Sequence, residues 1–183
     1  MVCIMICALF SAGLATAQSK DRKPAEGPTA FYEDCGGDCP CLFDHPVPLP
    51  DNVLDAILAT KEAKSMQDQL RRLNREQIAG LFRAIEIHLG DRKELDYVVL
   101  SVQPLGGADA PWFWIVRFNQ THPKVIFYTF ANGFEKLKSW SNGYPNLRSK
   151  AWAGSIQYTS IYHYNGRRYI LVHKYQKENA PQP

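Results

Sequence analysis

The chain has 183 residues, of which 45% are apolar and 21% are charged, with 21 Lys and Arg against 18 Asp and Glu. This length fits one domain with a sizeable core, and a second full domain would not fit. The net charge of +3 is too small to predict a nucleic-acid partner.

The first 17 residues carry no charged side chain and end in Leu14-Ala15-Thr16-Ala17. The small residues Ala15 and Ala17 stand where a signal peptidase needs room, just before the cut. About twelve apolar residues are too few to cross a bilayer, which takes about 20. We therefore expect residues 1–17 to be a cleaved signal peptide. The mature protein would begin at Gln18, would have no membrane span, and would be secreted or periplasmic.

Residues 18–30 are polar and charged, and this composition predicts a disordered leader. Residues 31–50 follow with three cysteines and with prolines at 46, 48 and 50. Because proline rings prevent a helix, this segment is predicted to be an extended arm, and its aromatic residues are expected to dock on the domain.

The cysteines of the arm are Cys35, Cys39 and Cys41, because Cys3 and Cys7 leave with the signal peptide. In an oxidising compartment two of the three are expected to form a disulfide, and the spacing leaves the pairing open. The alternative is a zinc site that also uses neighbouring Asp and His side chains. We favour the disulfide because one short arm would have to supply every ligand, and we expect no metal and no cofactor.

Helical periodicity begins after Pro50, where Val53, Leu54 and Ile57 recur at a spacing of three and four residues. It predicts a helix from residue 51 to about residue 64, capped by Asp51 or Asn52. A second helical stretch is predicted over residues 66–73. Asn74 with Gln77 forms a capping pattern for a third.

After Arg83 the apolar residues alternate, which is typical of strands. In the strand predicted at 112–119, Trp112 and Trp114 share one face while Phe113 and Ile115 share the other, so this strand is predicted to be central. Further strands are predicted at 95–102, 112–119, 124–130, 134–140, 148–152, 157–164 and 167–175.

Asn-Gly pairs occupy three of the predicted turns, at 132–133, 142–143 and 165–166. Asn165-Gly166 predicts a two-residue type I′ hairpin, since both residue types tolerate positive φ. The fold class is therefore predicted to be α+β, with two or three short N-terminal helices followed by an antiparallel β-meander of about six to eight strands. The domain would span residues 51–177, with a disordered tail at 178–183.

Three motifs carry a resemblance to a known group of proteins. Residues 112–115 read Trp-Phe-Trp-Ile, residues 142–147 read Asn-Gly-Tyr-Pro-Asn-Leu, and residues 162–169 read Tyr-His-Tyr-Asn-Gly-Arg-Arg-Tyr. This order resembles an uncharacterised family of bacterial secreted or periplasmic proteins over about residues 84–175. The resemblance implies an extracytoplasmic α+β domain, and it implies no substrate, cofactor or catalytic residue.

A looser similarity links residues 89–99 to FG-GAP repeats, whose acidic loop precedes a strand. Arg92 and Lys93 stand here where carboxylates should be. Calcium requires several oxygen ligands from one loop, so a plain connecting turn is predicted instead.

The C-terminal half holds more aromatic residues than one small sheet must bury, so some are expected at the surface, where they could bind a partner. For the aromatic residues taken alone, we favour the alternative that cross-strand aromatic pairs only stiffen the sheet. We expect a non-enzymatic binding or structural module of the bacterial cell envelope, with an envelope protein or glycan as partner. One alternative is a metal-binding cysteine arm. Another is an envelope hydrolase that uses His88 or His163 in a site between helices and sheet, although the sequence contains no Gly-x-Ser-x-Gly motif for a nucleophilic serine. The candidate binding residues are Trp112, Trp140, Tyr144, Trp152, Tyr162 and Tyr164.

The export hypothesis predicts that intact mass spectrometry of protein purified from its native host gives a chain starting at Gln18. This chain is expected in the extracytoplasmic fraction, because cleavage accompanies export. A chain that still begins at Met1 and fractionates with the cytosol would contradict the prediction.

Overall fold

The computed structural model describes residues 30–33, 42–90, 94–105, 110–118 and 122–178. The predicted signal peptide, residues 18–29 of the leader, all cysteines and residues 179–183 lie outside the described residues. The predicted disulfide and the predicted tail therefore stay predictions.

The described chain contains four short α-helices, one 3-10 helix and nine strands. The helices are α1 (Asp51–Leu58), α2 (Lys61–Lys64), α3 (Gln67–Leu70) and α4 (Arg75–Ala79), and the 3-10 helix is Leu42–Asp44. The strands are β1 (Ala30–Glu33), β2 (Phe82–Ile87), β3 (Leu95–Ser101), β4 (Trp112–Phe118), β5 (Lys124–Phe130), β6 (Gly133–Ser141), β7 (Tyr144–Ala153), β8 (Ile156–Tyr164) and β9 (Tyr169–Glu178).

The strands form two antiparallel sheets. The four-stranded sheet has the order β2-β3-β4-β5, and the five-stranded sheet has the order β1-β6-β7-β8-β9. The fold is thus mostly β with a few short helices, which agrees with the predicted α+β class and antiparallel pairing. The strands divide between two sheets, so they do not form one continuous meander.

The chain leaves one sheet for the other at Asn132. The Asn132 backbone N–H donates to the Lys150 carbonyl at 2.8 Å, and its side-chain Oδ1 accepts from the Trp152 N–H at 3.1 Å. These bonds tie the residue to β7. Asn132-Gly133 therefore starts the second sheet, and the expectation that it turns β6 back beside β5 is wrong.

The two sheets pack face to face around Phe134 of β6. Its ring centroid lies 5.2 Å from Phe31, 5.3 Å from Phe113 and 5.3 Å from Phe127. Phe31 belongs to β1, so an aromatic residue of the predicted arm does dock on the domain. Stacked and tilted aromatic pairs of this kind stabilise a core beyond the area that they bury.

The helices cover the other face of the four-stranded sheet. Val53, Leu54 and Ile57 of α1 are fully buried in the same apolar cluster as Trp114 of β4. Phe113 of that strand faces the five-stranded sheet instead. The prediction that β4 is central, with apolar residues on both faces, is confirmed.

The predicted first helix is divided at Thr60. The Thr60 hydroxyl accepts from the Ala63 backbone N–H at 3.2 Å and so caps the start of α2. Pro50 is the N-cap of α1, and the prediction that Asp51 or Asn52 caps this helix is wrong. The capping box of Asn74 and Gln77 is confirmed, with both bonds at 2.9 Å.

The Asn-Gly pairs differ in their turn geometry. Asn142 and Gly143 have φ values of 51° and 79°, so the two-residue type I′ turn lies between β6 and β7. The β8–β9 hairpin is present, but its loop has four residues, so the predicted two-residue turn there is wrong. Asn165 accepts from the backbone N–H groups of Arg167 and Arg168 with its side-chain oxygen, which stabilises the longer loop.

Gly143→Ala is expected to lower the free energy of unfolding by about 1 kcal/mol, because a side chain at positive φ is strained. Gly80→Ala is the matched control, since Gly80 ends α4 at φ −64° and an added Cβ would meet only ordinary contacts at 3.5 Å. It should be neutral or slightly stabilising. Urea denaturation of both variants measures the difference, and equal effects would contradict the assigned turn.

Candidate functional site

Two features of the described residues are candidate functional sites. One is a largely buried charged cluster between the sheets, and the other is an exposed apolar edge. The buried cluster, called the Arg117 cluster below, consists of Asp96, Arg117, Tyr144 and Tyr164. Asp96 of β3 and Arg117 of β4 are direct cross-strand partners. The two tyrosines come from β7 and β8 of the opposite sheet.

Arg117 holds the cluster together. Its Nη2 donates to the Tyr164 hydroxyl at 2.7 Å, and its guanidinium carbon lies 4.6 Å from the centroid of the Tyr144 ring and 5.1 Å from that of Tyr164. The Nε also lies 3.5 Å from the Glu94 carboxylate. The guanidinium therefore combines ionic, hydrogen-bond and cation–π contacts, which its planar, delocalised charge permits.

Asp96 has no exposed surface. Burial raises the pKa of its carboxyl from 3.8 to about 6, against the opposing effects of N–H donation from Leu89 and Gly90 and of the nearby Arg117 charge. The Leu89 donation is 3.2 Å long. Desolvation disfavours the charged carboxylate, and the neighbouring cation compensates only in part.

The tyrosines join the cluster to the β8–β9 hairpin. The Tyr169 hydroxyl, at the start of β9, donates to the Pro145 carbonyl of β7 at 2.9 Å. Asn142 donates through Nδ2 to the Tyr164 carbonyl at 2.7 Å. The root of the hairpin is thus fixed to its neighbouring strand at the same end of the molecule as Arg117.

A close approach at Gly90 completes the packing. A Cβ at this position would lie 2.8 Å from the Tyr144 ring, which is closer than real side-chain contacts allow. Tyr144 and Tyr164 are each only 2% exposed. A substrate has no access to Asp96 in this arrangement, so the geometry supports an anchoring role for the Arg117 cluster rather than acid–base catalysis.

The exposed apolar edge is the second feature. Eight large apolar side chains are exposed within the described residues, and six of them lie on β5 and β9, the last strands of the two sheets at one side of the sandwich. We call these six the edge surface. They are Tyr128, Phe130, Ile170, Leu171, Val172 and Tyr175.

The unequal strand count explains why β9 is exposed. The ring of Tyr162 in β8 packs at 4.8 Å on Phe127 of β5, so the edge strand of the four-stranded sheet lies beneath β8. In β9, Tyr169 also packs on Phe127, with ring centroids 5.5 Å apart, and the other nine residues are exposed. Leu171, which pairs with Tyr162, is 53% exposed although it faces the other sheet.

Tyr128 connects the two parts of the edge surface. It lies on β5 and interacts electrostatically with Arg168 of the β8–β9 loop. Its hydroxyl hydrogen-bonds with Glu62 of α2, and this bond together with burial raises the pKa of Tyr128. The edge of β5 is therefore adjacent to the hairpin.

The hairpin also carries an excess of positive charge. Residues 165–178 contain four exposed cationic side chains, Arg167, Arg168, Lys174 and Lys177, and a single carboxylate, Glu178. The Lys174 Nζ lies 5.4 Å from the centroid of the Tyr158 ring. Apolar side chains and cations are thus interleaved along one strand.

The six binding residues predicted from sequence fall into separate environments. Tyr144 and Tyr164 are buried in the Arg117 cluster, and Tyr162 is half-buried with its hydroxyl 3.4 Å from Thr129. Trp112 is also half-buried, with its ring 5.3 Å from Phe130. Trp140 and Trp152 are exposed at 42% and 38%, near opposite ends of the β6–β7 hairpin.

The predicted histidines lie apart. His88 follows β2 and its Nδ1 is 3.1 Å from the Glu94 backbone carbonyl. His163 lies on β8, in the sheet that the helices do not cover. Within the described ranges no group of three or more His, Cys, Asp and Glu side chains could hold a metal ion. No helix there has the length and apolar character that a membrane span requires.

Sequence analysis missed Asp96, Arg117 and the aliphatic part of the edge surface. The sequence did contain a signal for Asp96 and Arg117, because each places a charged side chain on the inward face of an otherwise apolar strand. The run Ile170-Leu171-Val172 puts apolar side chains on both faces, which a strand covered on one side does not need.

Comparisons of the chain with protein-family models, with curated proteins and with solved structures find no match.

The Arg117 cluster predicts a pH-dependent stability. Because burial raises the pKa of Asp96 in the folded state to about 6 from its ordinary value of 3.8, folding favours the protonated carboxyl. This contribution to the free energy of unfolding, about 3 kcal/mol, is complete below about pH 4 and is lost as the pH rises through about 6.

Asp96→Asn is therefore expected to gain up to about 3 kcal/mol relative to the wild type between about pH 4 and pH 7, since its amide stays neutral. Urea denaturation across this range measures the gain. Asp68→Asn is the control, because Asp68 is exposed beside Arg71 at 3.4 Å. Parallel pH profiles for wild type and Asp96→Asn would refute the raised pKa.

Proposed function

We propose that this protein is a non-enzymatic binding module, exported to the bacterial cell envelope, and that the edge surface is its contact surface. Its body would be the α+β domain predicted over residues 51–177, with short helices ahead of the main strands, and β1 adds residues 30–33 to its five-stranded sheet. The signal-like start and the resemblance to bacterial secreted proteins support export. The buried state of the Arg117 cluster supports a role in architecture.

One observation carries the proposal: six of the eight exposed large apolar side chains in the described chain lie on β5 and β9, the terminal strands of the two sheets. Exposed apolar residues scattered singly need no explanation, but a concentration on neighbouring edges indicates an interaction site. Free strand edges are normally shortened or covered to prevent aggregation. A ten-residue edge strand with four exposed apolar side chains is explained by a partner that covers it.

The Arg117 cluster supports the binding role because it fixes the root of the β8–β9 hairpin. It fixes Tyr164 at the end of β8, and Tyr169 fixes the start of β9. The hairpin root is thereby rigid while the remaining residues of β9 stay accessible. A rigid scaffold lowers the entropy that a partner would otherwise lose on ordering the surface.

The proposal is tested by removing apolar contacts from the edge surface. The double variant Tyr128→Ser with Leu171→Ser is expected to retain less than about one fifth of the envelope components that the wild type captures, because interface anchors contribute about 1 kcal/mol or more each. Capture from a solubilised envelope extract is quantified by mass spectrometry. The melting temperature should change little, since both side chains are about half exposed.

The control is the double variant Trp140→Ser with Trp152→Ser, which removes exposed aromatic rings of the β6–β7 hairpin, outside β5 and β9. It should capture the same components as the wild type. If the control loses capture while the edge variant keeps it, the contact surface lies on the β6–β7 hairpin. If neither variant changes the capture profile, the proposed function is wrong.

A further inference from the structure

We propose that the partner of the edge surface is an acidic, extended peptide segment that pairs with β9 as an additional antiparallel or parallel strand. This inference rests on the proposed binding function and specifies its partner. It follows from the free backbone edge, the distribution of apolar side chains and the charge of β9.

The backbone of β9 offers a long pairing edge. The strand has ten residues and pairs only with β8 within the described residues, with one shift of register at Val172. Residues 173–178 beyond this shift form a regular run of about 20 Å at 3.3 Å per residue. Its other edge presents backbone N–H and C=O groups. An extended peptide satisfies these groups by main-chain hydrogen bonds, as in other cases of strand addition.

The apolar side chains of β9 lie on both faces of the strand. Leu171 pairs with the inward-facing Tyr162 and so points toward the four-stranded sheet, whereas Ile170 pairs with His163 and points away. A helix or a flat surface would cover only one of these faces. A strand beside β9 places alternate side chains against both, which favours an extended partner.

The cations determine which extended partner fits. Lys174 and Lys177 lie on β9, and Arg167 and Arg168 lie in the loop that precedes it. These four positive charges compare with one carboxylate, that of Glu178. Charges of this kind on an edge strand oppose pairing with a like-charged strand. Pairing between two copies of β9 would bring two positive strands together, so charge complementarity favours an acidic peptide over a second copy.

The experiment titrates the mature protein with synthetic ten-residue peptides up to millimolar concentration. One peptide alternates Glu with Val, a second alternates Lys with Val, and a third repeats the Glu–Val sequence with N-methyl groups that block backbone pairing. The Glu–Val peptide is expected to bind at least about tenfold more tightly than either other peptide. Its affinity should fall as salt is added.

Hydrogen exchange locates the bound peptide. The amides of residues 169–178 that do not pair with β8 should become protected when the Glu–Val peptide binds. The double variant Lys174→Glu with Lys177→Glu should weaken binding by about tenfold or more. Arg72→Glu with Arg83→Glu gives the same change in net charge, at exposed positions away from β9, and should leave the affinity unchanged.

The results of these experiments either support or overturn the proposal of an acidic peptide partner. Equal binding of the Glu–Val and Lys–Val peptides, undiminished binding of the N-methylated peptide, or protection outside residues 169–178 would overturn it. So would an absence of peptide binding. If the edge variant still loses envelope capture in that case, the proposed function stands and only the peptide class is wrong. Concentration-dependent self-association that peptide does not relieve would assign the edge to a second copy.

Discussion

The partly buried charge of Arg117 constrains how the two sheets meet. A guanidinium placed between sheets must find acceptors there, because an isolated charge away from water is costly. Glu94 supplies a carboxylate 3.5 Å from its Nε, while Tyr144 and Tyr164 supply ring faces and a hydroxyl from the other sheet. The alignment of β7 and β8 over β3 and β4 is therefore determined at this end by polar contacts, and elsewhere by aromatic packing around Phe134.

The mismatch between five strands and four has two effects on the molecule. It lets β8 cover the edge of β5, which buries Phe127 and partly buries Tyr162 between the sheets. It also leaves β9 exposed beyond Tyr169, whose ring still packs on Phe127. A closed core and an open edge thus come from the same difference in strand number, and the hairpin that supplies the open edge is anchored by the Arg117 cluster.

Local patterns in the sequence predicted the features that depend on neighbouring residues. The faces of residues 112–115 and the capping box at Asn74 are of this kind. The Asn-Gly pairs show where prediction from local sequence fails, because the same dipeptide occurs in three different structures. It forms a type I′ turn at 142–143, begins a longer loop at 165–168 and lies where the chain passes from one sheet to the other at 132–133. The two-sheet division and the exposure of β9 depend on strand counts in each sheet, which periodicity does not encode. For the candidate site, the sequence contained two signals: the inward positions of Asp96 and Arg117 on their strands, and the apolar run at residues 170–172.

The position of β9 after every other described strand has a consequence for how the molecule is made. Synthesis proceeds from the N-terminus, and domains can begin to fold as they emerge. While β9 is still missing, β8 is the outer strand, and its inward residues already have the four-stranded sheet to pack on. The strand that we propose to bind the partner is therefore synthesised last. A nascent chain would expose this edge only in the final step of synthesis, which would limit the time during which immature copies can pair with one another.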